Sequence, residues 1–238
     1  MDSTVSRDGS LYIYMVQTWY DTNNYKNVLD TYTYVGSWLP PLPFYLMKSL
    51  MHIGPSAEIA GVSINIALGT FTPLLSYGIA YEVTQKKDIS VCSALLTAVN
   101  PSMNSLSIEV QRDMVYLFFI GMTLWWLSAG IRRQKFIYWL GAGIVCGCAM
   151  LTRYETLEFL FLVPLILFVL SIGKHCLWKR GICFGVVFLI SLLGIVVLLS
   201  FMMQTQCFLY RNYKNYYQNK IGTVNKQIYP FSFEEMTK

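Results

Sequence analysis

Six long apolar runs decide what this chain can fold into: Ala57 to Val83, Ile89 to Met103, Met114 to Ile131, Phe136 to Leu151, Leu157 to Ile172 and Ile182 to Met203. A helix that crosses a bilayer needs about 20 mostly apolar residues. A water-soluble fold of this length has too little interior to cover so many such stretches. The second, fourth and fifth runs are short, so their ends borrow neighbouring polar residues or lie in thinner, protein-lined regions. Charged residues make up 13% of the chain and hydrophobic ones 55%, where soluble domains carry about 25% charged. The sequence therefore predicts an all-α polytopic membrane protein with about six transmembrane helices.

Orientation follows from the short connections. Lys86 and Lys87, then Arg132, Arg133 and Lys135, then Lys174, Lys179 and Arg180 fall between alternate pairs of runs, all on one side. Short loops rich in Lys and Arg stay cytoplasmic. The outer side then receives the segment before Ala57, the turn Glu109 to Asp113, the turn Arg153 to Glu158, the tail after Gln204, and nearly all the acidic residues. Two shorter amphipathic stretches, Gly9 to Tyr20 and Pro43 to Ile53, are expected to lie flat at the outer interface. The expected organisation is an outer-face loop with interfacial helices over 1–54, a helix bundle over 55–204 and an outer-face loop or truncated segment over 205–238.

The net charge of +5 is dispersed in these small clusters and forms no continuous basic stripe, which argues against a nucleic-acid partner. The six cysteines make no C-x-x-C pair and no ligand spacing with His52 or His175, so they read as small buried hydrophobes. Met1 to Ser10 is polar, with no basic stretch leading into an apolar one, and shows no cleavable signal.

Ionisable groups at the ends of apolar runs are the candidates for chemistry, because charge at membrane depth is costly and marks function. Asp8 precedes an interfacial helix, where a carboxylate meets both a lipid headgroup and an aqueous acceptor; it serves either as a general base or as a helix cap. In Glu109-Val-Gln-Arg112-Asp113, the arginine can hold a phosphate bidentately while either acid binds a sugar hydroxyl, a divalent metal or the arginine itself. Arg153 with Glu155 and Glu158 forms a third cluster on the same side, read as substrate-binding or as snorkelling at a helix end. Lys48 and His52, one turn apart, can meet an anionic headgroup.

The order of these segments resembles the C superfamily of integral-membrane glycosyltransferases, in particular the bacterial members related to protein O-mannosyltransferases and aminoarabinose transferases. The resemblance rests on SRDGSLYIYMVQTWYD (Ser6 to Asp21), PPLPFYLMKSL (Pro40 to Leu50), VNPSMNSLSIEVQRDMVYLFF (Val99 to Phe119) and LTRYETLEFLFL (Leu151 to Leu162). It implies that Asp8 is the catalytic base, with Arg7 beside it. It also implies that Arg112 and Asp113 match the acidic or Arg-Asp site of the family, and that Thr152, Arg153 and Glu155 match a Thr-Arg-Pro-Glu motif in which Tyr154 replaces the proline. The family has a further spanning helix before the Asp8 loop and several after the last one here, so the chain is expected to be a fragment of a larger enzyme.

The reaction so implied moves a sugar from a polyprenyl-phosphate carrier to a lipid, glycan or protein acceptor on the outer face, expected to be that of the bacterial plasma membrane. Asp8 activates the acceptor hydroxyl; Arg112 and Arg153 receive the departing phosphate, assisted by Arg7, Glu109, Asp113, Glu155 and Lys48. No cofactor is required, and Asp8, Glu109 and Asp113 form a divalent-metal site only if folding brings them together. Two alternatives stand beside this reading: a multi-pass transporter or flippase of lipid-linked sugars, with the same charges lining its path, and an inactive truncated remnant.

Overall fold

The structure is a computed structural model that describes residues 7–25, 27–28, 40–171 and 175–202. The expected segment 205–238 and Lys174 lie outside the described residues, as do the side chains of Arg7, Lys179 and Arg180. All regular elements among the described residues are helical.

Helix α1 (Arg7–Thr22) carries Tyr12, Met15, Val16 and Trp19 at three- and four-residue spacing, which sets them on one face, and all four are buried. Helix α2 (Leu42–Met51) starts where Pro40, Pro41 and Pro43 fix the entry, and buries Leu42, Phe44, Met47 and Met51. The two helices pack on each other and on the start of α3 (Ala57–Thr84). Their apolar faces are therefore turned into the protein; the outward face of α1 presents Tyr14, Gln17 and Asp21. Each helix thus supplies apolar cover that the other needs.

Ser56 caps α3 by accepting from the Ile59 amide at 3.4 Å. The expected run Ile89 to Met103 is broken in two, α4 (Lys87–Ala98) and α5 (Pro101–Ile108). Pro101 has no amide to continue the first helix, and the Asn100 side chain accepts from the Ser102 and Met103 amides at 2.9 and 3.3 Å to start the second. Then follow α6 (Arg112–Arg133), α7 (Phe136–Met150), a 3-10 turn (Tyr154–Glu158), α8 (Phe159–Ser171) and α9 (His175–Met202). The expected run Leu157 to Ile172 thus begins with a tighter turn.

Two of these helices are both long and apolar enough to cross a bilayer, α3 at 28 residues and α6 at 22. Shorter apolar helices accompany them in α7 and over Cys183–Leu199 of α9. Their exposed surfaces carry Ile66, Phe71 and Leu74 on α3, and Ile190, Val197 and Phe201 on α9, which suits contact with hydrocarbon. The chain is an α-helical integral membrane protein.

Helix α3 packs between α4 and α6, α6 against α7, and α7 against α9. The α7–α9 contact depends on Gly143 and Gly147, four residues apart: a Cβ on Gly143 would collide with the Phe188 carbonyl and the Ser191 hydroxyl, and one on Gly147 would sit 2.9 Å from the Leu192 carbonyl. Small residues at this spacing let helices touch backbone to backbone, where close van der Waals packing replaces the hydrophobic drive that lipid removes.

One end of the bundle is basic. Glu82, whose side chain is 3% exposed at the end of α3, accepts from both Arg132 and Arg133 at the end of α6. These arginines, read from the sequence as topological markers, also lock the ends of two helices together.

Candidate functional site

At the opposite end, sequence candidates from three separate segments, α1, the Glu109–Asp113 stretch and the turn after α7, come together. Helix α6 begins at Arg112, so Asp113 lies in its first turn, where a carboxylate is favoured by the helix dipole. Arg153 follows the end of α7, and its guanidinium reaches across to Asp113. The same guanidinium donates to Glu155 Oε1 from Nη2 at 2.7 Å and from Nε at 3.2 Å, and lies 5.5 Å from the Tyr116 ring centre. Glu155 raises the Arg153 pKa further, and the Arg153 hydrogen bond holds the Glu155 carboxyl below the usual carboxylate range. Arg153 is thus a clamp joining α6 to the 3-10 turn.

Arg112 is different. Half-buried, it makes no hydrogen bond or ion pair with the described residues, and it lines a crevice with Tyr12, Phe44, Asn65 and Val110. The sequence reading allowed Glu109 or Asp113 to pair with Arg112. Glu109 instead accepts from Ser105 at 3.2 Å and from Gln111 at 2.6 Å, and Asp113 is taken by Arg153. The Glu109–Gln111 connection is itself held by Asn65 on α3, whose amide donates to the Glu109 and Gln111 carbonyls at 2.5 and 2.8 Å. A buried polar side chain in a spanning helix thereby fixes where Arg112 begins α6.

Asp8 lies in the first turn of α1 and is exposed, one helical turn before Tyr12. It makes no hydrogen bond with the described residues. Tyr12 is the meeting point: burial pushes its phenol above the ordinary value, Arg112 and Arg153 act to lower it, and Asp8 and Asp113 act to raise it. All four charges are close enough to be felt at one phenol. Tyr12 was not singled out in the sequence; the available signal was its position four residues after Asp8 on an apolar face.

Lys48 stands apart from this group. Its ammonium donates to the Asn23 side chain at 2.6 Å and lies 5.1 Å from the Trp19 ring centre, and burial lowers its pKa. His52 packs against Tyr20, ring centres 5.1 Å apart. Both residues tie α2 to the end of α1, where a cation meets the negative end of the helix dipole. A further tether, Leu42 N–H to the Leu151 carbonyl at 3.1 Å, fastens the start of α2 beside Arg153.

Among the described residues no three His, Cys, Asp or Glu side chains gather into a metal-ligand set. The crevice at Tyr12 and Arg112 has a volume of about 10 Å³, room for one oxygen-sized group. A sugar ring would have to lie at its mouth.

The profile of a family described as dolichyl-phosphate-mannose-protein mannosyltransferase matches residues 39–203. An uncharacterized protein of Aquifex aeolicus (strain VF5) is 25% identical over 115 residues, which is 48% of this chain and 23% of that protein. The match thus spans about a quarter of the length of that relative. No solved structure matches the chain.

Proposed function

The chain belongs to the dolichyl-phosphate-mannose-protein mannosyltransferase family, and on that premise we propose that it transfers a sugar from a polyprenyl-phosphate carrier to an acceptor hydroxyl. The reaction runs at the membrane surface where Arg112 and Arg153 lie. The observation that carries this reading is that Arg153 pairs with Asp113 at the start of α6, beside Arg112, which lines a crevice with Tyr12 of α1, one turn after Asp8.

Asp8 takes the acceptor proton as the acceptor oxygen bonds to the anomeric carbon. On the opposite face of the sugar, the bond from that carbon to the phosphate oxygen breaks and its electron pair leaves with the lipid phosphate. The product glycoside is inverted. Arg112, lacking any carboxylate partner among the described residues, meets the charge that develops on the phosphate; Arg153 holds Asp113 and Glu155 in place around it. General-base positioning contributes about 100- to 10,000-fold and a fixed cation at a developing anion a comparable factor. The reading puts this end at the outer face of a bacterial plasma membrane, since the opposite end holds Lys86, Arg132, Arg133 and Lys135. The donor is then a polyprenyl-phosphate sugar and the acceptor a lipid, glycan or protein.

The test is transfer of labelled sugar from a polyprenyl-phosphate donor in membranes carrying the protein or its Asp8→Asn variant at matched expression. Transfer that collapses in Asp8→Asn supports the mechanism. Transfer at the parental rate would reduce Asp8 to a residue that favours the start of α1.

A further inference from the structure

Tyr12 has the marks of a polar group awaiting a partner. The residue is 7% exposed, and its hydroxyl, which keeps access to the crevice, makes no hydrogen bond with the described residues. A hydroxyl held at a lined crevice with no partner among the described residues is free to donate to a group that binds there. Its ring is fixed edge-on against Phe44, centroids 5.4 Å apart at 66°, which leaves the phenol little freedom to turn elsewhere. Arg112, the other polar group of the crevice without a hydrogen bond to the described residues, lines the same space. The space itself, about 10 Å³, admits one oxygen atom and excludes a ring.

Resting on the reading above, we infer that Tyr12 is a positioning residue of this site: its hydroxyl and the Arg112 guanidinium together receive one oxygen of the phosphate of the lipid-linked donor. A neutral donor and a cation side by side suit a phosphate oxygen. A carboxylate at Tyr12 would repel it, and a second arginine would need its own counter-charge. Burial above the ordinary phenol range keeps Tyr12 protonated, and so a donor, at every physiological pH. Asp8, one turn earlier on α1, then stands at the crevice mouth, where a sugar attached to that phosphate must lie.

The experiment is titration of the purified protein with farnesyl phosphate and, separately, with farnesol, in wild type, Tyr12→Phe and Arg112→Gln. The phenylalanine keeps the ring against Phe44, so thermal stability should match wild type. Tyr12→Phe is expected to weaken farnesyl phosphate about tenfold, the loss of one charge-assisted hydrogen bond, and to leave farnesol unchanged. Equal farnesyl phosphate affinity in wild type and Tyr12→Phe, with Arg112→Gln weakened, overturns the role of Tyr12 and leaves the proposed reaction standing. A wild type that binds farnesyl phosphate no better than farnesol refutes the lipid-phosphate reading itself. Full displacement of farnesyl phosphate by millimolar inorganic phosphate would assign the crevice to free phosphate and overturn the lipid assignment.

Discussion

Replacing Gly143 by alanine probes the contact that places the helix leading to Arg153. On α7, the added methyl would overlap the Phe188 carbonyl oxygen and the Ser191 hydroxyl of α9. The serine can rotate, but the carbonyl is main chain and cannot move without the helix. Relief therefore requires α7 and α9 to part, which loosens the packing of Trp139 on Phe184, stacked at 5.4 Å and 5°. Overpacking of this kind costs about 1–3 kcal/mol, offset in part by the better helix propensity of alanine, worth up to about 1 kcal/mol. The internal control is Gly194→Ala on α9, where a Cβ meets nothing within 4 Å. It should be neutral or slightly stabilising. Unfolding of both variants in mixed micelles, followed by tryptophan fluorescence against a rising fraction of denaturing detergent, gives the two differences under one protocol. Gly143→Ala is expected to fall below Gly194→Ala by about 1–3 kcal/mol. Equal stability of the two would refute the claim that α7 and α9 meet backbone to backbone.

At the basic end, Glu82→Gln removes the charge that Arg132 and Arg133 share. The expected loss is about 2 kcal/mol, less than the 3–5 typical of a fully buried pair because the two arginines are 36% and 40% exposed and can turn toward water; the same detergent titration measures it. At the site end, Glu155 has a carboxyl pKa lowered chiefly by its hydrogen bonds from Arg153. A carboxyl with a depressed folded pKa stabilises the protein above its unfolded value, ordinarily 4.5, and that contribution is lost as pH falls through the folded value. Thermal melts between pH 7 and pH 3 should therefore show a shallower acid decline in Glu155→Gln than in wild type, and parallel curves would contradict the clamp. The effect is small, because the Glu155 side chain is 51% exposed and water screens it.

Much of the architecture was legible in the sequence. Helix starts at Ala57, Arg112 and Phe136 fall within two residues of the apolar runs, because in lipid each backbone group must be paired within its own helix and long apolar stretches admit no other solution. The break at Asn100 and Pro101 was in plain view as a capping residue followed by a residue with no amide, yet an apolar average passes over it. The site was legible as a set of residue types at the ends of runs, and illegible as a set of partners. Whether Asp113 meets Arg112, its neighbour in sequence, or Arg153, 40 residues away, depends on where α7 ends relative to the start of α6.

The sequence by itself therefore determined the solvent and the currency of the fold: helices in a bilayer, charges confined to their ends, one end basic and the other mixed. Only the tertiary structure decided which charges neutralise each other. By giving Asp113 and Glu155 to Arg153, Gln111 to Glu109 and Asn23 to Lys48, it left Arg112 without such a partner among the described residues, beside the phenol of Tyr12. The reason is physical: apolar length is a local property that any window of sequence contains, whereas an ion pair between helices exists only once packing at Gly143, Gly147 and Asn65 has fixed the helices side by side.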